Sequence, residues 1–278
     1  YARADFFLSF GERGVDLEEG YLTFTSLPGG LQAKAGKMRA DFGKVNTMHS
    51  HILPWIDRPL VTRNLLAGEE GISDAGLSLS RILPAPGQVY LEAIAQVYRG
   101  DSEELFQARR RSDVGAVGHL RGYRDISEST NLDLGVSYGR GHSPVGPGLV
   151  NQLYGLDATL RWKPLRRSIY RSFIGRTELV WGRAQQPNET AKPFGFYASG
   201  QYQLGRRWFL GGRFDRSDRL NEPQLRDTGG SILLTYRPSE FSQVRGQLRR
   251  TRYGEQVTAN EFLFQFQYSI GAHGAHPF

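Results

Sequence analysis

Histidine and acidic side chains that could bind a metal occur together in one polar stretch. His49, His51 and Asp57 lie within nine residues of each other, and His273 and His276 form a second pair near the end of the chain. Two histidines at i and i+2 supply at most two ligands, whereas zinc sites use three or four. The sequence therefore predicts no metal site and no cofactor. With Pro54, Trp55 and Pro59 nearby, the stretch is expected to fold into the interior of the protein or to pack over one end of it.

A catalytic arrangement of side chains is the second kind of site that the sequence could encode. His119 and Asp133 lie on neighbouring predicted strands and could orient one another, but no nucleophile motif accompanies them. The glycines lie within predicted strands rather than before a helix, which argues against a phosphate-binding loop. We expect no enzymatic activity.

Alternation of apolar and polar residues defines the elements that carry these side chains. Segment 262–270 places three phenylalanines, Tyr268 and Ile270 on one face and mainly Gln and Ser on the other. Successive side chains of a strand point to opposite faces, so each such segment separates a greasy surface from a polar one. The rule recurs along the chain, more weakly at 15–27, 29–43, 73–85, 113–127 and 168–184. The count is about 14 strands, between 12 and 16.

The links between strands alternate in length. Short turns lie at 27–30, 84–87, 127–129, 163–166, 205–206 and 238–240, and longer polar links at 44–71, 100–112, 141–148, 185–192, 216–224 and 253–259. An outer-membrane barrel has periplasmic turns and external loops. We therefore predict an all-β fold, a transmembrane antiparallel up-and-down β-barrel formed as one domain by residues 1–278, with both termini periplasmic.

A soluble antiparallel sheet with one wet face would show the same alternation. Aromatic residues at both strand ends, as in Tyr154 with Trp162 and Tyr90 with Tyr98, favour the two interfacial girdles of a membrane barrel. A soluble β protein that binds polyanions is therefore the least favoured hypothesis.

The polar strand faces carry charges of both signs and are predicted to line the pore. Opposed basic and acidic rows would orient solutes, and the excess of arginine predicts mild anion selectivity. The alternative is that these charges pair across strands and fill a narrow barrel. The predicted pore-lining residues are Arg121, Arg161, Lys163, Arg176, Arg213, Arg245, Arg249, Glu92, Asp133, Asp157, Glu178 and Asp215, and the predicted constriction residues are His49, His51, Trp55, Asp57 and Arg58.

Composition limits the other classes of protein. The chain has 278 residues, a formal net charge of +7, 34 glycines and no cysteine, which excludes disulfides and thiolate chemistry. The basic residues are dispersed rather than clustered, so nucleic acid is not an expected partner. The start of the chain lacks the pattern of a signal peptide, so we expect a leader to have been cleaved or the chain to begin within a longer protein.

The alternating strands and the aromatic last residue, Phe278, resemble those of bacterial porins and related outer-membrane barrels. The segment from Asp41 to Leu60 is similar to a loop of uncharacterised barrels described as phosphate-porin-like. This resemblance implies a bacterial outer-membrane location, insertion by the barrel-assembly machinery, and contact with the lipid bilayer and lipopolysaccharide.

The expected function is that of a porin-like channel for passive diffusion of small hydrophilic solutes, with some preference for anions. Homo-oligomers are expected because many porins form them, and other envelope proteins are the alternative partners. The competing hypothesis is a structural or interaction barrel that anchors or encloses a partner in an outer-membrane assembly.

Overall fold

The computed structural model describes residues 1–11, 14–102 and 104–270. Almost all of the regular structure is strand, because the alternating segments that the sequence contains suit extended backbone. The strands are β1 Ala2–Gly11, β2 Gly14–Leu27, β3 Leu31–Arg39, β4 Ser73–Leu83, β5 Tyr90–Tyr98, β6 Gly115–Ser127, β7 Thr130–His142, β8 Val150–Trp162, β9 Phe173–Gln185, β10 Thr190–Ala191, β11 Phe194–Gln203, β12 Trp208–Asp218, β13 Arg226–Ser239, β14 Ser242–Arg252 and β15 Thr258–Tyr268.

The strands form one antiparallel up-and-down sheet in chain order. β10 is a two-residue strand that pairs only with β9, and the other fourteen each pair with their neighbours in sequence from β1 to β15. Within the described residues, no ladder joins β1 to β15. The prediction of an all-β barrel of about 14 strands is confirmed.

Apolar side chains lie on the outer face of the sheet and polar side chains on the inner face, which is the reverse of their distribution in a soluble protein. On β13, Ile232 is 64% exposed and Leu234 is also exposed on the outer face, whereas Ser231 and Thr235 are buried on the inner face. The same inversion holds on β15, where Phe262, Phe264 and Phe266 are all exposed. A sheet with an apolar outside and a polar inside is the arrangement of a membrane-spanning barrel.

A long segment between β3 and β4 folds into the interior. This inner segment, residues 40–72, contains a 3-10 turn at Ser50–Ile52 and one short helix, α1 Leu60–Leu65. Its apolar residues supply much of the buried core, with Phe42, Val45 and Leu65 fully enclosed. The apolar core therefore lies inside the sheet and is built largely from this segment.

Contacts of the inner segment show that the sheet curls around it. Phe7 of β1 stacks on His49 with ring centroids 4.6 Å apart, while Arg245 of β14 donates to the Leu53 carbonyl at 2.9 Å. Four residues span at most about 14 Å. Strands from the two ends of the sheet order therefore meet at neighbouring points of the same segment.

Two expectations from the sequence are wrong in detail. Tyr98 was expected in an interfacial girdle, but it lies on the inner face, 3% exposed, in the buried core. The link between β8 and β9 spans ten residues, 163–172, because β9 begins at Phe173 rather than near 168. It is longer than the opposite loop, 143–149, so link lengths alternate only approximately.

Among the described residues, no helix is long and apolar enough to cross a membrane.

Gly36 of β3 provides a test of this packing. Its φ of +140° is disfavoured for other residues, and a Cβ atom there would overlap the backbone oxygen of Gly20 and the Cα of Tyr21. Gly36→Ala is expected to lower the free energy of unfolding by about 1–3 kcal/mol, the cost of a strained backbone conformation. Thermal unfolding in detergent should show a melting temperature lower by several degrees. Gly205→Ala is the control, because nothing lies within 4 Å of that position; equal stability of the two variants would contradict the register described.

Candidate constriction and cavity inside the barrel

The inner segment is held to the wall by carboxylates that accept its backbone amides. Glu178 of β9 accepts from the Lys44 amide at 2.8 Å and the Val45 amide at 2.7 Å. Asp215 of β12 accepts from the Leu60 amide at 3.1 Å. Both carboxylates are buried, so the pairing satisfies polar groups on both partners that water cannot reach.

Asp133 of β7 gathers the cations on one side of the interior. It is fully buried and accepts from Arg121 of β6, whose Nη2 lies 2.7 Å from Oδ2. Lys44 Nζ of the inner segment bonds the same oxygen, and Arg161 Nη1 lies 3.8 Å from it. Burial lowers the pKa of Lys44, although the hydrogen bond to Asp133 opposes that shift.

On the opposite wall the roles are exchanged: the inner segment supplies the carboxylate, Asp57, and the wall supplies the cations. The Asp57 carboxylate lies 2.7 Å from both Arg213 Nη2 of β12 and Arg249 Nη1 of β14. Gln247 also donates to it. Burial raises the pKa of Asp57, but the two arginines outweigh this and hold the pKa below its ordinary value. The inner segment is therefore fixed to both walls by charge-assisted hydrogen bonds.

Aromatic contacts reinforce this attachment. The guanidinium of Arg213 lies 5.0 Å from the centre of the Trp55 ring, and Trp55 packs edge-on against Tyr197 of β11 with ring centroids 5.1 Å apart. Arg213 also pairs with Asp215 at 2.7 Å. Trp55 is thus part of the buried packing between segment and wall.

His49 lies between two carboxylates of β2. Nδ1 is 2.7 Å from Glu18 Oε2, and Nε2 is 2.8 Å from Glu19 Oε1. A β-bulge makes this possible, because the register with β1 pairs Phe7 with Glu19 and Leu8 with Leu17, leaving Glu18 as the extra residue. Ionised carboxylates only accept, so both ring nitrogens donate and the imidazole is protonated. Burial lowers the pKa of His49, but the bonds to Glu19 and Glu18 outweigh it and raise the pKa.

The metal-binding hypothesis for the two histidines and Asp57 finds no geometric basis. His51 stacks on His49 at 5.6 Å, but Asp57 is attached to arginines on the other wall. Within residues 1–11, 14–102 and 104–270, no group of three His, Asp or Glu side chains could hold a metal. His273, His276 and Phe278 lie outside the described residues.

Several other predicted positions have structural roles. Arg58 is buried and donates to the carbonyls of Val45 and Met48 at 3.1 and 2.7 Å, and burial lowers its pKa to about 10. It braces the segment from within rather than lining a passage. Arg245 is similarly fixed to Leu53. Asp157 of β8 is paired in register with Glu178 on the adjacent strand β9, and both side chains are buried. His119 bonds Ser137 at 2.8 Å, not Asp133.

Lys163 requires a correction. The sequence placed it on the polar face of a strand, but β8 ends at Trp162, and Lys163 is exposed in the following turn. Its amide donates to the Ser129 carbonyl at 2.8 Å, one residue beyond the last ladder pair of β7 and β8. It therefore does not line the interior.

A polar cavity of about 280 Å³ remains beside the inner segment. Five cationic side chains line it, against the two carboxylates Asp41 and Glu92. The cations are Lys34, Lys44, Arg121, Arg161 and Arg176. Among the described residues, no carboxylate lies within 4 Å of Lys34 or Arg176, and Arg161 Nε has no hydrogen-bond partner. The cavity therefore presents unneutralised positive charge to whatever enters it.

The pairing of charges differs between the two sides of the interior. Arg213, Arg249 and Asp215 are all paired, and Arg249 also bonds Glu261 at 2.6 Å. This is the alternative in which wall charges neutralise each other. The cavity side instead retains cations without acidic partners, so neither sequence-based alternative describes the whole interior.

Sequence reasoning missed Lys34, Lys44 and Gln247. Lys34 lies on the polar face of a strand that was assigned only weakly, so its alternation was the available signal. Lys44 and Gln247 act through contacts with residues 89 and 190 positions away, for which a single sequence carries no signal.

Comparisons with known proteins identify the fold but not a family. No family model matches the sequence. An uncharacterized protein of Aquifex aeolicus (strain VF5) is 30% identical over 318 residues; the match covers 98% of this chain, which spans 65% of that protein's length. Two solved structures have similar folds. OmpT, an outer membrane protein of Vibrio cholerae, has a TM-score of 0.60 at 9% identity, covering 96% of this chain and 84% of its own. OprB of Pseudomonas putida has a TM-score of 0.59 at 11% identity, covering 92% and 74%.

The protonated state of His49 leads to a pH prediction. A raised pKa means that the stabilisation is fully present below the ordinary value of 6.5 and is lost as the pH rises through the raised pKa. His49→Gln keeps hydrogen bonding without the charge. Between pH 6 and pH 9, the wild type should lose on the order of 1 kcal/mol, or roughly 2–4 °C in melting temperature, that the variant does not lose. Parallel pH profiles for the two proteins would contradict the doubly bonded imidazolium.

Asp57 allows the attachment of the inner segment to be tested. Asp57→Asn removes the charge that bonds Arg213 and Arg249, at a cost of about 1–3 kcal/mol for groups left poorly satisfied. Amide hydrogen exchange of residues 53–65 should accelerate at least severalfold, while exchange in β6 and β7 stays unchanged. Asp101→Asn, which removes an exposed pair with Arg99, is the matched control. Unchanged exchange in 53–65 would show that Asp57 does not hold the segment.

Proposed function

We propose that the chain forms a bacterial outer-membrane channel for passive diffusion of small hydrophilic solutes, with a preference for anions. The observation that carries this proposal is the cavity beside the inner segment. Lys34 and Arg176 face it without an acidic partner within 4 Å among the described residues, and Arg161 shares the single carboxylate of Asp133 with Lys44 and Arg121. Rings of unneutralised charge bias which ions enter a narrow passage. The apolar outer face and the fold shared with outer-membrane proteins support the location.

The proposed mechanism requires no catalytic step. The inner segment narrows the interior, and its charge-assisted attachment keeps the passage at a fixed width. A hydrated anion entering the cavity exchanges part of its water for guanidinium and ammonium donors. Because several weak sites lie side by side, the anion can leave as readily as it enters, which conduction requires.

Planar-bilayer recordings test this proposal. Purified protein should give stepwise currents, and a salt gradient should give a reversal potential of anion-selective sign. Lys34→Gln and Arg161→Gln should each lower the anion-to-cation permeability ratio, roughly twofold or more. Lys163→Gln is the control, because it removes the same charge from an exposed turn. A cation-selective wild type, or equal effects of all three substitutions, would contradict the assignment of selectivity to the cavity.

A second function is favoured by one observation, the extent to which the inner segment fills the interior. Its residues Phe42, Val45 and Leu65 are fully buried against the wall, as expected of a barrel that serves as an anchor or encloses a partner. Such a barrel would insert into bilayers without conducting. Heat-modifiable migration would verify folding and insertion, and the absence of current steps from inserted protein would then favour this function over diffusion.

A further inference from the structure

The outer face of the barrel changes character near the end that carries the long loops. Across β7, β8 and β9, the cross-strand row Tyr138, Tyr154 and Trp181 faces outward. Two residues closer to the loops, the corresponding row is Arg140, Gln152 and Arg183. Aromatic residues prefer the boundary between hydrocarbon and headgroups, so arginines just beyond them lie at the depth of the headgroups.

A second group of outward-facing arginines lies on β12 and β14. Arg216 and Arg252 flank Thr228 in one cross-strand row. Arg250 belongs to the adjoining row, with Gly230 on one side and Asn260 on the other. Arg250 and Arg252 are exposed, and in the described part of the chain no carboxylate lies within 4 Å of any of the three. Three guanidinium groups, one on β12 and two on β14 on the other side of β13, thus share one patch without an acidic partner.

A hollow of about 900 Å³ lies in the outer face directly below this patch. Phe214, Ile232, Leu248 and Phe262 form its apolar sides, and Gly212 and Gly230 form its floor. A Cβ at Gly230 would approach nothing closer than the Arg213 carbonyl at 4.0 Å. The glycines therefore leave open space where side chains would otherwise fill the surface. Arg250 and Asn260 also line the hollow, so the apolar space and the cationic patch are continuous.

We propose that this patch and hollow form a binding site for a phosphate-bearing membrane lipid of the leaflet on the loop side. Acyl chains would occupy the hollow, and the headgroup phosphate would be bound by Arg216, Arg250 and Arg252. Arginine suits phosphate because its planar guanidinium offers two parallel donors. The hollow faces the membrane rather than water, which favours a lipid over a soluble phosphate ester. This site is independent of conduction, because it lies on the outside of the wall.

The principal test measures lipid retention by native mass spectrometry of the detergent-purified chain mixed with diphosphorylated lipid A. The wild type should retain the lipid, and the triple variant Arg216→Gln, Arg250→Gln, Arg252→Gln should retain at least tenfold less. The control carries Arg81→Gln, Arg124→Gln and Arg207→Gln, three exposed arginines near the turn end, and should bind as the wild type does. Equal retention by the two triple variants would overturn the proposal.

The chemistry of the ligand is tested with three further probes. Dephosphorylated lipid A should bind at least tenfold more weakly than the diphosphorylated form. Inorganic phosphate should compete poorly, since it cannot use the hollow; full competition at millimolar phosphate would indicate a simple anion site and overturn the lipid assignment. A dimer that persists without lipid and is lost in the first triple variant would identify a second copy of the chain as the occupant, which also overturns it.

A variant of the hollow keeps the test informative if the triple variant does not fold. Gly230→Leu fills the apolar space while leaving every arginine in place, and should reduce lipid retention severalfold. Gly118→Leu is matched to it, because Gly118 also faces outward, beside Ala95 and Tyr138, with its nearest neighbour a carbonyl at 4.0 Å. Equal retention by these two variants would overturn the role of the hollow.

Discussion

Buried carboxylates that accept backbone amides are the interaction on which the interior depends. A segment of more than thirty residues inside a barrel exposes many amides and carbonyls, and each is costly if it finds neither water nor a partner. Glu178 and Asp215 supply partners from the wall, and Asp57 returns a carboxylate from the segment to wall arginines. Gly43 must remain glycine, because with φ +62° a Cβ atom there would crowd the Glu178 carboxylate. The cavity, its width and its lining all follow from where the segment is held.

The alternation of side chains predicted the fold because the pattern is local. Segment 262–270 alternates strictly enough to identify its strand, and the structure places β15 at Thr258–Tyr268. The ends of the strands were harder to predict from the sequence, because they depend on where hydrogen bonding with the neighbouring strand stops. Residues 168–172 continue a plausible pattern, yet the backbone bonds from Tyr170 and Arg171 back to Arg167 make a turn there. Tyr98 shows the same limit, because an aromatic residue at a strand end serves equally well in a girdle or against an inner segment.

The candidate site was less predictable because alternation assigns a face but not a partner. Arg121 and Arg213 both point inward, and both pair with acidic residues on the barrel wall. Only the path of the inner segment decides that Lys44 joins the first pair and Asp57 the second. The setting of His49 depends on a single extra residue in β2, Glu18, which turns two consecutive carboxylates toward one imidazole. The bulge reverses the phase of the alternation, from exposed Val15 and Leu17 to exposed Leu22 and Phe24; this phase change is visible in the sequence, but it does not reveal the imidazole that the two carboxylates bind.

The net charge of +7 acquires a physical meaning once the arginines are sorted by environment. Those paired with Asp57, Asp133 and Asp215 have acidic partners, and these pairs fix the position of the inner segment. Among those without acidic partners, Arg176 lies at the cavity and Arg216, Arg250 and Arg252 lie on the outer face near the loops, two places where a negatively charged group from outside the chain can reach them. Leaving a cation unpaired beside low-dielectric protein raises the free energy of the isolated chain. Binding of a solute anion or a lipid phosphate would recover that free energy, so the surplus charge marks surfaces that interact rather than surfaces that hold the fold together.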